Sequence, residues 1–293
     1  MPPAVRRGAN GFCGGSFVDN VSESYYNKSI KQSERGGIMK KNLITWLLSL
    51  TLVLTLCVSV LAVPASASGR LDPAGPSKEE LAQKWKEVTY ATERYVTEPS
   101  VSAPYAAGEL SESFLLSGIT YLNYVRFAAN LPAVQLQDSL NEDAQHGAVL
   151  LAAIDTLTHY PSQPADMDDD FYSRGYSATT SSNISARYGY APLGSLQSAV
   201  FGCMADNSSV SNLACMGHRR WLLNPKLLNV GFGYAESESG WSYIVTKVFD
   251  RSGETFDYDN VAWPAAGNFP TNLFDTRTPW SFTLNPSKYQ KPS

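Results

Sequence analysis

The sequence predicts an α+β domain in which helices cover a small antiparallel sheet, and three observations carry that expectation. Apolar residues recur at helical spacing from Phe114 to Ala129 and again from Asp138 to Thr156. After Pro225 the period changes to that of strands, with Val-, Tyr- and Phe-rich runs at Asn229 to Ala235 and Trp241 to Phe249. Helices first and strands later is the order of an α+β layering rather than of alternating βαβ units.

The elements follow in chain order. Ser77-Lys78-Glu79-Glu80 is a capping box ahead of Leu81 to Trp85, so a short helix starts there. A Pro- and Ser-rich stretch, Glu98 to Ala107, reads as a linker, which makes residues 68–107 a lead-in arm. In the first long helix Phe114, Gly118, Leu122, Val125 and Ala129 form the stripe, and Leu131-Pro132 ends it. In the second, Leu140, Ala144, Ala148, Leu151 and Ile154 line one face, while His146 projects away from it and reads as a solvated surface residue. Pro161 to Tyr190 is rich in Asp, Ser, Thr and Gly without a clear period, so loops with at most short regular pieces are expected. Glu236 to Gly240 is the polar turn of a hairpin. The tail, 261–293, sets aromatics among prolines and is expected along the domain edge; its polar Lys-Pro-Ser end reads as a linker cut short.

Upstream, Met39 to Asn42 gives a positive start, Leu43 to Val63 an apolar core and Ala65-Ser66-Ala67 a small-residue cleavage site, the pattern of a secretory signal peptide over 39–67. The alternative is an uncleaved anchor, which would be the only membrane contact. Both place the domain, read as 108–260, outside the cell. Residues 1–38, with Cys13 and the sequons at Asn20 and Asn27, make no sense before such a signal and read as a misplaced start. A formal charge of −4 and 43% apolar content describe a soluble globule, and downstream of residue 67 only Arg219-Arg220 cluster as bases, so a nucleic-acid partner is not expected. In an oxidising compartment Cys203 and Cys215 are expected to form a disulfide closing a short polar loop, Asp206 to Asn212, worth on the order of 3 kcal/mol.

Three segments together resemble the CAP superfamily, the SCP-like extracellular domains of cysteine-rich secretory proteins, antigen 5 and pathogenesis-related proteins. They are Leu122-Asn123-Tyr124-Val125-Arg126 with the helix after it, Leu157-Thr158-His159-Tyr160, and Gly217-His218-Arg219-Arg220-Trp221-Leu222-Leu223-Asn224-Pro225 running into Val230-Gly231-Phe232-Gly233. The last is similar to the bacterial branch. The resemblance spans about Ser111 to Phe249 and implies an α-β-α sandwich, with helices packed on both faces of a small antiparallel sheet.

It also implies a cleft lined by two histidines and two acids that binds a divalent metal in some members. His159 and His218 match the histidines, but Ser181-Ser182-Asn183-Ile184 stands where the family has Gly-Glu-Asn-Ile, so Ser182 replaces the glutamate. A stable zinc site needs three or four ligands, so no cofactor is expected, with zinc held by His159 and His218 as the alternative. Asp206 is the only acid between Ser182 and His218 and reads as solvated. A serine hydrolase would use Ser182 with one of the histidines, but no strained elbow surrounds it and no acid is evidently placed to orient either ring. The leading expectation is a non-catalytic, secreted or cell-surface binding module for a lipid, glycan or protein ligand. Its groove would be floored by His159, Asn183 and His218, beside Ser182. The rivals are a metal-assisted or serine hydrolase in the same groove and a structural module of a longer surface protein. Beside the histidines, Arg219 and Arg220 are expected to pair with acids or cap carbonyls, and Trp221 to Leu223 to be core.

Overall fold

The computed structural model describes residues 75–91, 93–189 and 195–290. The expected signal peptide at 39–67 and the lead at 1–38 lie outside the described residues. No described helix is long and apolar enough to cross a membrane.

Helix α1 (Lys78–Trp85) begins as its capping box predicts: Ser77 Oγ accepts from the Glu80 N–H, and the Glu80 carboxylate accepts from the Ser77 N–H. One short helix cannot bury a core by itself, and α1 does not have to. Leu81 and Val88 join the main core, and Trp85 packs 4.9 Å from Tyr124 on α2 (Glu112–Ala128). Strand β1 (Tyr95–Thr97) pairs with β2 (Glu109–Leu110), so the chain on both sides of residue 107 shares one small sheet. Helix α2 is capped by Ser111 and stops where Asn130 turns left-handed, φ 57°, letting the Leu131 N–H reach back to the Arg126 carbonyl.

The central sheet has the order β3 (Gln135–Leu136), β5 (Asn229–Glu236), β6 (Trp241–Lys247), β4 (Asn183–Tyr188). The expected hairpin is β5 and β6, paired from Gly231 with Lys247 to Glu236 with Ser242. All pairs are antiparallel except the short β3–β5 edge. Helices cover both faces, and the fold is α+β. Alternation along β5 divides its side chains between two cores. Val230, Phe232 and Tyr234 enter a core with Leu122 of α2 and Leu196 of α5 (Ser195–Ala205). Ala235 enters a second core with Ala144, Ala148 and Leu151 of α3 (Asp138–Ala153).

At this second face α3 lies so close that a Cβ at Gly231 or Gly233 would strike the backbone of Leu140 or Ala144. The close approach lets α3 pair with the edge of β5: Asn141 Oδ1 accepts from the Phe232 N–H, and Gln145 accepts from the Tyr234 N–H and donates to the Tyr234 carbonyl.

Three expectations need correction. The stretch 161–190 contains a twelve-residue helix, α4 (Asp169–Thr180), capped by Asp168, and the strand β4. Its buried residues are the small Gly175, Ala178 and Thr179, the first two fitting against Gly147 and Leu150 of α3, and they leave no aliphatic stripe in the sequence. His146 is half-buried beneath α4, its ring 4.7 Å from that of Phe171 and its Nδ1 on the Glu142 carbonyl; burial lowers its pKa. The third concerns the expected disulfide, which is not formed. Cys203 faces the core from α5, where burial and then the Asp206 carboxylate push its thiol up to about 12, while Cys215 ends α6 (Val210–Cys215) exposed. The polar loop is fixed by hydrogen bonds instead, with Ser209 Oγ accepting from the Asn212 N–H and Asn212 donating to Ser208 Oγ.

The tail adds β7 (Asn260–Trp263) and β8 (Ser281–Leu284), an antiparallel pair. Trp263 is fully buried in the main core, edge-on to Phe269, whereas Trp280 is 77% exposed.

Candidate functional site

Residues 179–183, leading from the last turn of α4 into β4, hydrogen-bond to the His159 ring, the Lys247 ammonium and the His218 backbone. His159 Nδ1 lies 2.7 Å from the Thr179 carbonyl, and Thr179 Oγ1 donates back to the His159 carbonyl. A carbonyl only accepts, so Nδ1 carries the proton and Nε2 keeps its lone pair in the neutral ring. Ser181 Oγ accepts from Lys247 Nζ at 2.8 Å and donates to the Ser177 carbonyl. Lys247 is partly buried, which lowers its pKa. Asn183 Nδ2 donates to the backbone carbonyl of His218 at 3.0 Å, and the Asn183 side chain is buried.

His218 sits one residue into α7 (Gly217–Leu222), directly after Met216, whose left-handed φ of 47° separates α7 from α6. Its Nδ1 lies 2.8 Å from Asp206 Oδ1. Far from being solvated, the Asp206 side chain is completely buried, and its other oxygen accepts from the Arg219 N–H. Asp206 also adopts a left-handed φ of 47°, a conformation costing a non-glycine residue roughly 1–2 kcal/mol that its carboxylate bonds offset. An acid therefore does orient one imidazole, contrary to the sequence reading, and the second ring nitrogen of His218 is left for other partners.

Two buried arginines brace the segment carrying His218. Arg126 donates to the carbonyls of Pro132, Leu222 and Asn224, and burial pushes its pKa down to about 9. Arg219 donates to the carbonyls of Met204, Ala205 and Pro279 and to Ser281 Oγ, tying α5 to the C-terminal strands. Burial lowers its pKa to about 10, against the favourable field of Asp206. Arg219 thus caps carbonyls as expected, while Arg220 is exposed. Asn123, the other polar residue of the first motif, pins the following loop by exchanging two hydrogen bonds with Val134. Leu222 and Leu223 are core as expected, and Trp221 is half-exposed, stacked 4.0 Å from Phe249.

The family model of the cysteine-rich secretory proteins, CAP, matches residues 119–249. Residues 119–249 are a CAP domain. Two of the solved structures similar to the chain illustrate the likeness. An outer surface protein from Borrelia burgdorferi is 19% identical, with 44% of this chain and 85% of that one covered and a TM-score of 0.29. The protein MpPR-1i, in a crystal soaked with selenourea, is 14% identical, with 48% and 91% covered and a TM-score of 0.29. Comparison with curated proteins gives no match.

Within the CAP domain, Ser182 is buried and its hydroxyl has no hydrogen-bond partner, so it offers no accessible nucleophile. No group of three or more His, Cys, Asp or Glu side chains among the described residues is placed to hold a metal ion. Sequence reasoning missed Lys247 and the role of Asp206. Lys247 lies on a strand with no motif around it. Asp206 had one signal, being the only acid between Ser182 and His218.

Proposed function

We propose that the chain is an exported, extracellular or cell-surface CAP module that works by binding, at the surface built on residues 179–183. The observation supporting this reading is that one five-residue segment is hydrogen-bonded to Lys247 and to the backbone or ring of His159 and His218. The Lys247 ammonium suits a ligand that presents acceptors, such as the carboxylate or phosphate of an envelope lipid, glycan or protein, and the Nε2 lone pair of each imidazole in its neutral form suits a hydroxyl of the same ligand. The pairing of His218 with Asp206 favours a second reading, a hydrolase in which the carboxylate holds one ring nitrogen and the other acts as base.

One experiment separates the two. The natural chain and the His159→Ala/His218→Ala double variant are compared for retention on anionic lipid vesicles and immobilised polysaccharides, and for turnover of ester and peptide panels. The binding reading expects retention by the natural chain, its loss in a folded variant, and no turnover. Turnover that falls about a hundredfold or more in Asp206→Asn would replace it with the hydrolase.

A further inference from the structure

A groove of about 890 Å³ lies between the Arg219 to Lys226 segment and the C-terminal strands β7 and β8. His218 does not line it, so it is separate from the surface on residues 179–183. Its second wall, from Thr255 to Lys288, falls outside the stretch matched by the family model.

The groove combines two kinds of lining. Leu223, Phe256, Tyr258 and Val261 give it an apolar floor, with Leu223 and Val261 buried. Arg220, Lys226 and Arg251 are exposed along it, and among the described residues none has a carboxylate partner. Asp257, the one acid of the lining, is already bound by Lys288, which also reaches Asp259. Asp250, next to Arg251 in the chain, accepts from the Leu228 and Asn229 N–H groups. Three uncompensated cations in one groove run against the sign of a chain whose net charge is −4. Arg251 is moreover held in place, its guanidinium 5.2 Å from the centre of the Trp221 ring. Part of the entropy cost of fixing it against a ligand is thereby already met.

We propose that this groove binds a short acidic peptide segment whose carboxylates alternate with apolar side chains. The charge calls for an anion, and guanidinium groups match carboxylates with paired hydrogen bonds. The floor decides which anion. A hydrophilic polyanion would satisfy the cations and leave the apolar floor facing charge, whereas a neutral apolar chain would desolvate the cations without replacing their water. A peptide mixing acids with apolar residues satisfies both, and the groove's volume is that of a ligand-binding cleft.

The test is selection of a random peptide display library on the full chain, followed by fluorescence anisotropy with the synthesised winners. Enriched peptides are expected to interleave Asp or Glu with apolar residues and to weaken as salt rises. They should also bind the Arg220→Glu/Arg251→Glu variant about tenfold or more less tightly. Both substituted side chains are exposed, so the variant is expected to fold, which a thermal melt checks; Lys226→Gln supplies a milder second variant with a smaller loss. The proposal is overturned by absence of enrichment, by winners indifferent to these substitutions, or by inorganic polyphosphate binding through the same residues as tightly as the peptides.

Discussion

The two faces of the central sheet are built on opposite principles. On one face β5 meets α2 and α5 through large side chains, Leu122, Leu196, Phe232 and Tyr234 among them. On the other, Gly231, Gly233, Ala144 and Ala148 bring backbones nearly into contact, and Gly147 with Gly175 does the same between α3 and α4. A large-residue face excludes water by area and tolerates some repacking. A small-residue face relies on close approach, so its polar groups must be paired with defined geometry. The candidate site grows from the second kind, because residues 179–183 continue directly from α4.

This difference is sharpest at Gly233. A Cβ there would collide with main chain rather than with the movable end of a side chain. Gly233→Val should therefore separate α3 from β5 and destabilise by about 3 kcal/mol or more, read as the shift in urea midpoint. The control is Gly202→Ala in α5, where an added Cβ meets nothing; it should stabilise by roughly 0.5–1 kcal/mol through backbone entropy. Equal behaviour of the two variants would mean that the glycine-lined face is not tightly packed.

The same contrast explains what the sequence discloses. The large face announces itself by period: Phe114, Leu122 and Val125 mark α2, and the Val- and Tyr-rich runs mark the hairpin. The capping box at Ser77 marked the start of α1. On the small face glycine, alanine and threonine carry the packing, and hydropathy patterns do not register them. For that reason α4 read as loop and His146 as solvated. In the site, His159, Asn183 and His218 are visible because short motifs surround them. Asp206 was hidden by its polar neighbours, since burial there follows from a backbone turn and from Arg219 rather than from local composition. Lys247 follows from strand register alone. The disulfide was misjudged because spacing along the chain says nothing of which side of a helix a thiol faces.

A smaller effect tests whether the polar pairing between α3 and β5 matters as much as the close approach. Gln145 is buried and serves both the N–H and the carbonyl of Tyr234, and its amide also reaches the Ala107 carbonyl. Gln145→Leu keeps the volume and removes those partners, so it should cost about 1–3 kcal/mol. Faster hydrogen exchange at the Tyr234 amide should accompany the loss. A variant as stable as the natural chain would mean that water replaces the side chain and that the face is less closed than its glycines imply.

The smallest effect concerns acid. His146 is covered by Phe171, and burial lowers its pKa despite the nearby Glu142 and Asp143, with Arg174 adding to the depression. Because the unfolded chain holds the proton more tightly than the folded one, proton uptake favours unfolding. Its contribution to stability is thus present above the ordinary histidine pKa of about 6.5 and is lost as pH falls below that value and through the lowered folded one. His146→Gln removes the titration while keeping a side chain able to hydrogen-bond, so urea midpoints measured between about pH 5 and 8 should fall less steeply with acid in the variant than in the natural chain. The comparison isolates this ring from His159 and His218, which both proteins share. Parallel slopes would show that the ring stays neutral or solvated in both states, and that α4 does not seal the small-residue face at this point.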